Sequence, residues 1–206
     1  TAGGSYDFSV QSEKLAITAT GAAVTLTGGR GVDTLTGGGG DDVIVVSDLD
    51  VVDGTSGNDT VRFAAAVSAT NLADADLENI DNIVITNTNA ATYDFSAQVG
   101  EAFNVTGGSG NDTLKMATGT VDTISTGAGN DLILAEDTDA LIDGGTGVDT
   151  VQFAADVTGG DLLDEDLANV EFVVLTQGSG GTYDFAVQTE SLQITGTKYA
   201  DIIDGG

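Results

Sequence analysis

Carboxylates and glycines recur along this chain at one fixed spacing. The phrase Gly-Gly-x-Gly-x-Asp-x-apolar-x reads GGRGVDTLT at 28–36, GGGGDDVIV at 37–45, GTSGNDTVR at 54–62 and GGSGNDTLK at 107–115. It returns as TGAGNDLIL at 126–134 and GGTGVDTVQ at 144–152. The chemistry this suits is hard-oxygen ligation: calcium takes six to eight oxygens, and Asp carboxylates together with turn carbonyls supply them. The candidate carboxylates are Asp33, Asp42, Asp59, Asp112, Asp131 and Asp149. Asp122 in the weaker row ATGTVDTIS and Asp201 in GTKYADIID join them. The candidate turns are Gly28, Gly29 and Gly31; Gly37, Gly38 and Gly40; Gly54 and Gly57; Gly107, Gly108 and Gly110; Gly127 and Gly129; and Gly144, Gly145 and Gly147. These glycines are expected to take positive φ and turn their carbonyl oxygens inward.

What positions such turns is a strand rhythm. The apolar residue at position eight of each row is expected to drop into a core as part of a short strand. Such anchors fall at Ile17, Leu26, Leu35, Ile44, Val52 and Val61, and again at Val105, Leu114, Ile124, Ile133, Ile142 and Val151. Their intervals are eight to ten residues, one strand and one turn. No strand that short buries its face alone, so the core must come from stacking on neighbours. Successive rows then alternate between two sheets, and turns on one edge lie about 18 residues apart. A full site needs two stacked turns, which pairs Asp42 with Asp59, Asp112 with Asp131, and Asp131 with Asp149. Asp33 meets Val51 where a partner should be, with Asp48 or Asp50 as substitutes. Asp122 meets Ala140, with Asp139 as its substitute. The fold class is all-β, a parallel β-roll or β-helix solenoid with glycine- and aspartate-rich turns.

A longer repeat contains the short one. Tyr-Asp-Phe occurs at 6–8, 93–95 and 183–185. VRFAAAV at 61–67 is answered by VQFAADV at 151–157, and NLADADLENIDNIVI at 71–85 by DLLDEDLANVEFVVL at 161–175. The expected organisation is one unit over 1–91 with rows at 28–62, a second over 92–181 with rows at 107–152, and the start of a third over 182–206. In each Tyr-Asp-Phe the rings should point inward and the Asp outward, by the two-residue period of a strand. Segments 71–82 and 161–171 read as a loop or one helical turn, with Asn71 or Asp161 as N-cap and Leu72, Leu77 and Ile80 on one face. The chain opens at Thr1 without a signal peptide and closes on Gly205-Gly206, the opening of another row. It therefore reads as a piece of a longer repeat protein.

Composition narrows the partner. Formal net charge is −28, from 33 acidic and 5 basic residues, and Asp outnumbers Glu 26 to 7. Asp is the shorter ligand and the better turn residue, so the acid belongs to loops. A hydrophobic share of 40% is too high for a disordered acidic chain. Nucleic acid and anionic membrane surfaces require a basic face, so neither is an expected partner. Calcium is. With no Cys and no His there is no disulfide, no usual zinc site and no Ser-His or Cys-His nucleophile. No apolar stretch approaches the length of a membrane span.

Two other functions compete with a structural one. Asp74, Asp76 and Glu78, with Asp164, Glu165 and Asp166, are carboxylate clusters that a polysaccharide-modifying β-helix could use as acid and base. They recur at one place in each unit, which an active site has no need to do, so the chain reads as non-enzymatic. The clusters then read as extra calcium ligands or solvated charge. Thr25/Thr27 and Thr34/Thr36 could form a carbohydrate- or ice-binding face, though in a roll the two pairs fall on opposite sheets.

At the rows quoted above, roughly 28–62, 107–152 and 196–206, the chain resembles the repeats-in-toxin (RTX) family of calcium-binding β-rolls. The remainder looks like the β-solenoid spacers of bacterial S-layer proteins and large adhesins. The resemblance implies several calcium ions, folding on meeting calcium outside the cell, and a secreted, bacterial cell-surface location. It also implies neighbouring copies in a surface lattice, or the rest of a longer repeat protein, as partners.

Overall fold

The computed structural model describes residues 3–47, 50–67, 72–136, 138–158 and 163–205. Its strands are three or four residues long in most cases, and in most buried ones the central apolar residue is sealed while its polar neighbours are half-exposed. One sheet of nine strands holds β1 (Ser5–Asp7), β3 (Thr25–Thr27), β5 (Val43–Val46), β7 (Thr60–Phe63) and β9 (Asn82–Ile85). It continues through β11 (Asn104–Thr106), β13 (Thr123–Ser125), β15 (Leu141–Asp143) and β17 (Leu167–Ala168). The opposite side starts as four strands, β2 (Ala16–Thr18), β4 (Thr34–Gly39), β6 (Val51–Ser56) and β8 (Leu77–Glu78). It resumes as six: β10 (Thr92–Asp94), β12 (Thr113–Lys115), β14 (Leu132–Ala135), β16 (Thr150–Phe153), β18 (Phe172–Leu175) and β20 (Gln193–Thr195). Strands β19 (Thr182–Phe185) and β21 (Ile202–Gly205) form a separate pair. Consecutive strands thus alternate sides through about ten turns, and every pairing is parallel. This is a two-sided β-solenoid.

Register explains the core. Leu26 lies beside Ile44, Ile44 beside Val61 and Val61 beside Ile83, so like residues stack into columns. Of the twelve sequence anchors, eleven are buried and Ile17 packs against them half-buried. Each fully buried aliphatic side chain contributes about 1.5–3 kcal/mol. Stacking therefore supplies what a three-residue strand lacks by itself. Tyr93, Phe95, Tyr183 and Phe185 are sealed, with Asp94 and Asp184 half-exposed between them. In the first copy Tyr6 stands in the inward column, in register with buried Leu26, yet is 49% exposed because β1 ends its sheet and no described strand covers the ring.

Two turns are wider than the rest, and each interrupts one side of the solenoid, the first between β8 and β10 and the second between β17 and β19. After β7, Val67 bridges forward to Tyr93 while β8 pairs backward with β6. Val157 and β17 repeat this around Tyr183 and β15. Phe63, Phe95 and Phe103 fill the first wide turn, with ring centroids 5.9 and 6.4 Å apart, and Phe153 and Phe185 the second at 6.3 Å. Bulkier rings occupy the extra width. Asp74–Asp76 and Asp164–Asp166 each form one 3-10 turn, the helical-turn alternative for these segments. Leu72, Leu77 and Ile80 are buried without lining a helix face, because Leu77 belongs to β8. Asn71, Asp161 and Asp48 lie outside the described residues.

Strands β10 to β18 repeat β1 to β9 element by element. Nine is odd. An element on one side of the first set therefore reappears on the other side in the second: β7 lies in the nine-stranded sheet, its equivalent β16 in the six-stranded one.

Candidate metal centre

Each row places its Asp one residue before a strand, at the edge where the chain turns from one side to the other. One edge of each repeat is built as a buried ladder. The Asp42 amide donates to Asp59 Oδ1 at 2.8 Å, Asp112 to Asp131 at 2.7 Å, and Asp131 to Asp149 at 2.7 Å. All five of these carboxylates are at most 2% exposed. Val24 and Ala91 amides cap the lower ends, at 2.7 Å to Asp42 and 3.0 Å to Asp112. One oxygen of each carboxylate is thereby used. The other, Oδ2 of Asp42, Asp59, Asp112, Asp131 and Asp149, is buried with no hydrogen-bond partner.

The ladder on the other edge of each repeat differs. Asp33 donates to Asp50 Oδ1 at 2.8 Å and Asp122 to Asp139 Oδ1 at 3.1 Å, so Asp50 and Asp139 fill the two gaps in the pattern. Here the second oxygen is engaged as well. Asp33 Oδ2 accepts the Gly29 amide at 2.6 Å, Asp50 Oδ2 the Ser47 amide at 2.8 Å, Asp122 Oδ2 the Thr120 hydroxyl at 3.1 Å, and Asp139 Oδ2 the Glu136 amide at 3.0 Å. Asp201 is closed in the same way, accepting the Thr197 amide at 2.7 Å and the Gly181 amide at 3.3 Å.

Burial pushes the carboxyls of Asp59, Asp112 and Asp149 up, Asp149 to about 6; ladder amides oppose the rise and neighbouring carboxylates add to it. In the other two ladders burial raises Asp50, Asp122 and Asp139, the last to about 7. Among the described residues the one ion pair is Lys115 to Asp94 at 3.4 Å, away from both ladders. No protein cation answers the buried charge there.

The glycines are needed for two different reasons, which corrects the expectation of positive φ throughout. Left-handed values occur at the second and fourth positions: Gly38, Gly40, Gly57, Gly127, Gly129, Gly145 and Gly147, with Thr55 taking the second position of its row. Gly37, Gly54 and Gly144, at first positions, have none, nor do any of Gly28, Gly29, Gly31, Gly107, Gly108 and Gly110. Those are glycines because the next turn lies too close for a side chain. A Cβ on Gly29 would meet the Gln11 carbonyl oxygen at 2.7 Å, and on Gly31 the Glu13 carbonyl at 2.7 Å. At Gly108 it would overlap the Asn87 carbonyl, and at Gly107 that of Thr126.

Carbonyls and open carboxylates converge at these first positions. Asp42 Oδ2 and the Gly54 carbonyl oxygen both crowd the point where a Gly37 Cβ would stand, the carbonyl at 3.1 Å. Among the described residues no three carboxylates gather into a metal-binding group, so a cation here would need backbone carbonyls, water or neutral side chains besides the carboxylates. The donor set is all oxygen, anionic and partly carbonyl, and suits calcium rather than a softer metal. The orphaned buried oxygens fit such an ion.

An all-parallel solenoid whose edges carry stacked aspartates over glycine turns is a β-roll. Residues 25–48, 46–62, 104–115 and 116–151 match the family model for the RTX calcium-binding nonapeptide repeat, in four copies. These segments of the chain are RTX calcium-binding repeats. No curated protein and no solved structure matched it. Among the described residues no helix is long and apolar enough to cross a membrane.

Two ladder residues escape the row pattern: Asp81, which accepts the Asp59 amide at 2.7 Å, and Glu171, which accepts the Asp149 amide at 2.8 Å. A signal existed. Each stands two residues before a buried apolar anchor, Ile83 or Val173, the offset of Asp59 from Val61.

Proposed function

We propose that this chain is a calcium-locked structural segment of a secreted bacterial surface protein, a rod in an S-layer or adhesin scaffold. The ions would sit between stacked turns, held by the open oxygens of Asp42, Asp59, Asp112, Asp131 and Asp149 and by turn carbonyls. The observation that carries this reading is the set of five buried carboxylate oxygens with neither hydrogen-bond donor nor protein cation. An unmet buried acceptor costs about 1–3 kcal/mol, and more when charged. A cation removes that cost at every rung. Modules that work outside the cell bind calcium at roughly 10⁻⁴–10⁻³ M. Calcium at 100 times the dissociation constant adds about 2.7 kcal/mol per site, and at a few-fold excess about 1 kcal/mol.

Three of the six cluster carboxylates hold backbone amides, which supports a structural role for them over a catalytic one. Asp76 Oδ2 accepts the Ala73 amide at 2.6 Å, Asp166 Oδ2 the Leu163 amide at 2.7 Å, and Asp74 Oδ1 the Val99 amide at 2.6 Å. They tie the wide turns. The two Thr-x-Thr pairs belong to β3 and β4, in different sheets, so they offer no continuous ligand face. The test is a calcium titration followed by circular dichroism and melting, with magnesium as control. A calcium-specific gain of β signal and melting temperature is expected. Identical melting in calcium and chelator would defeat the proposal.

A further inference from the structure

The ladder runs past the end of the nonapeptide rows. At the Asp42 rung the elements are an open Oδ2, the carbonyl of Gly54 from the next turn, and the carboxylate of Asp59 holding the Asp42 amide. One rung higher the same elements recur from other residues. Asp59 Oδ2 is buried and unpartnered, and it crowds the Cβ position of Gly54 together with the carbonyl oxygen of Asn79. Asp81 holds the Asp59 amide. The second wide turn repeats the arrangement. Asp149 Oδ2 is unpartnered, the Asn169 carbonyl and the Asp149 side chain crowd Gly144, and Glu171 holds the Asp149 amide.

Asn79 and Asn169 make this possible. Both take left-handed backbone, φ 54 and 52, at the place two residues before the acid where a row carries its third glycine. Asn is the residue after glycine that tolerates this conformation best. Each is also pinned from below: Asn79 Nδ2 donates to Asp53 Oδ1 and Asn169 Nδ2 to Asp143 Oδ1, both at 2.8 Å. Thus 22 residues separate Asp59 from Asp81, and Asp149 from Glu171, yet the chain returns a carbonyl and a carboxylate to the ladder after the detour. Beside the first of these rungs lies a cavity of about 270 Å³ lined by Thr55, Ser56, Asp59, Asn79, Asp81 and Glu101 among others, a polar route for a hydrated ion. Glu101 Oε2, in its wall, also has no hydrogen-bond partner.

We infer that the wide turns carry two further divalent-cation sites outside the nonapeptide rows, one between Asp59 and Asp81 with the Asn79 carbonyl, the other between Asp149 and Glu171 with the Asn169 carbonyl. The inference rests on the calcium reading above and extends it. Each site joins a regular stack to the turn that leads away from it, so metal bridges the spacer instead of stopping short of it.

The experiment counts bound calcium on the 206-residue chain by titration calorimetry and native mass spectrometry. Asp81→Asn, Glu171→Gln and the double variant are compared with the unaltered chain. Each replacement keeps an oxygen to accept the Asp59 or Asp149 amide, so the ladder bond survives, and circular dichroism in saturating calcium checks the fold of each. Each single variant is expected to bind one calcium fewer, or to bind it at least tenfold more weakly, and the double variant two fewer. Unchanged stoichiometry and affinity in folded variants would overturn this inference and leave the row sites standing. An unaltered chain that binds no calcium would overturn both.

Discussion

Within each repeat the two edges carry the same aspartate at the same spacing and finish it differently. In the ladders Asp33–Asp50 and Asp122–Asp139, both oxygens of every carboxylate accept hydrogen bonds from the protein. In the ladders Asp42–Asp59 and Asp112–Asp131–Asp149, one oxygen caps the neighbouring turn and the other is left bare. The closed ladders meet their oxygens with local donors. The open ones leave an acceptor on every carboxylate for a group from outside. Because β10 to β18 repeat β1 to β9 with sides exchanged, the open ladder precedes strands of the nine-stranded sheet at Asp42 and Asp59, and of the six-stranded sheet at Asp112, Asp131 and Asp149, while the closed ladder changes edge the other way. Consecutive stretches would therefore present their calcium columns on opposite edges of the rod.

The largest effect expected is that of calcium removal. Several sites at about 1–2.7 kcal/mol each rival a domain stability of 5–15 kcal/mol. Chelator should abolish most of the cooperative melting transition seen in calcium, and magnesium should fail to restore it, because it demands a tighter octahedral shell. Next comes a contrast between edges. Asp131→Asn touches two rungs of the open ladder, so it should remove two bound calcium ions and about 2–5 kcal/mol of calcium-dependent stability. Asp122→Asn in a closed ladder should cost about 1 kcal/mol and leave calcium stoichiometry unchanged. Equal losses from both variants would erase the distinction.

The smallest effect is a pH dependence, and it sharpens the contrast. In chelator, Asp139 and Asp149 hold their protons to about 7 and about 6, against about 4 in an unfolded chain. Folded protein thus binds protons that the unfolded chain has released. This contribution is complete below pH 4 and is lost as pH rises through 6 and 7, so chelated protein should melt lower at pH 8 than at pH 5. Under the proposed calcium sites, the ion would compete with the proton at Asp149 and not at Asp139. Adding it should remove the part of the slope near pH 6 and keep the part near pH 7.

Much of this was legible in the residues. Apolar anchors every eight to ten positions determine the strands, and Asp spacings of 17 to 19 determine which carboxylates stack. The side exchange follows from an odd number of strands per repeat. The state of each carboxylate was not legible, because Oδ2 is closed by local donors such as the Gly29, Ser47 and Glu136 amides, whose direction depends on the turn's backbone path. Positive φ was expected of glycines that instead admit a close neighbouring turn. Asp81 and Glu171 stayed hidden because Asn replaces the glycine beside them and, at the second, Glu replaces Asp.

The most direct measurement is a crystal structure grown in calcium, with anomalous difference density to locate the ions. The account predicts ions between Asp42 and Asp59, Asp112 and Asp131, and Asp131 and Asp149, with none between Asp33 and Asp50 or between Asp122 and Asp139. Density confined to the closed ladders, or absent from the open ones, would contradict it.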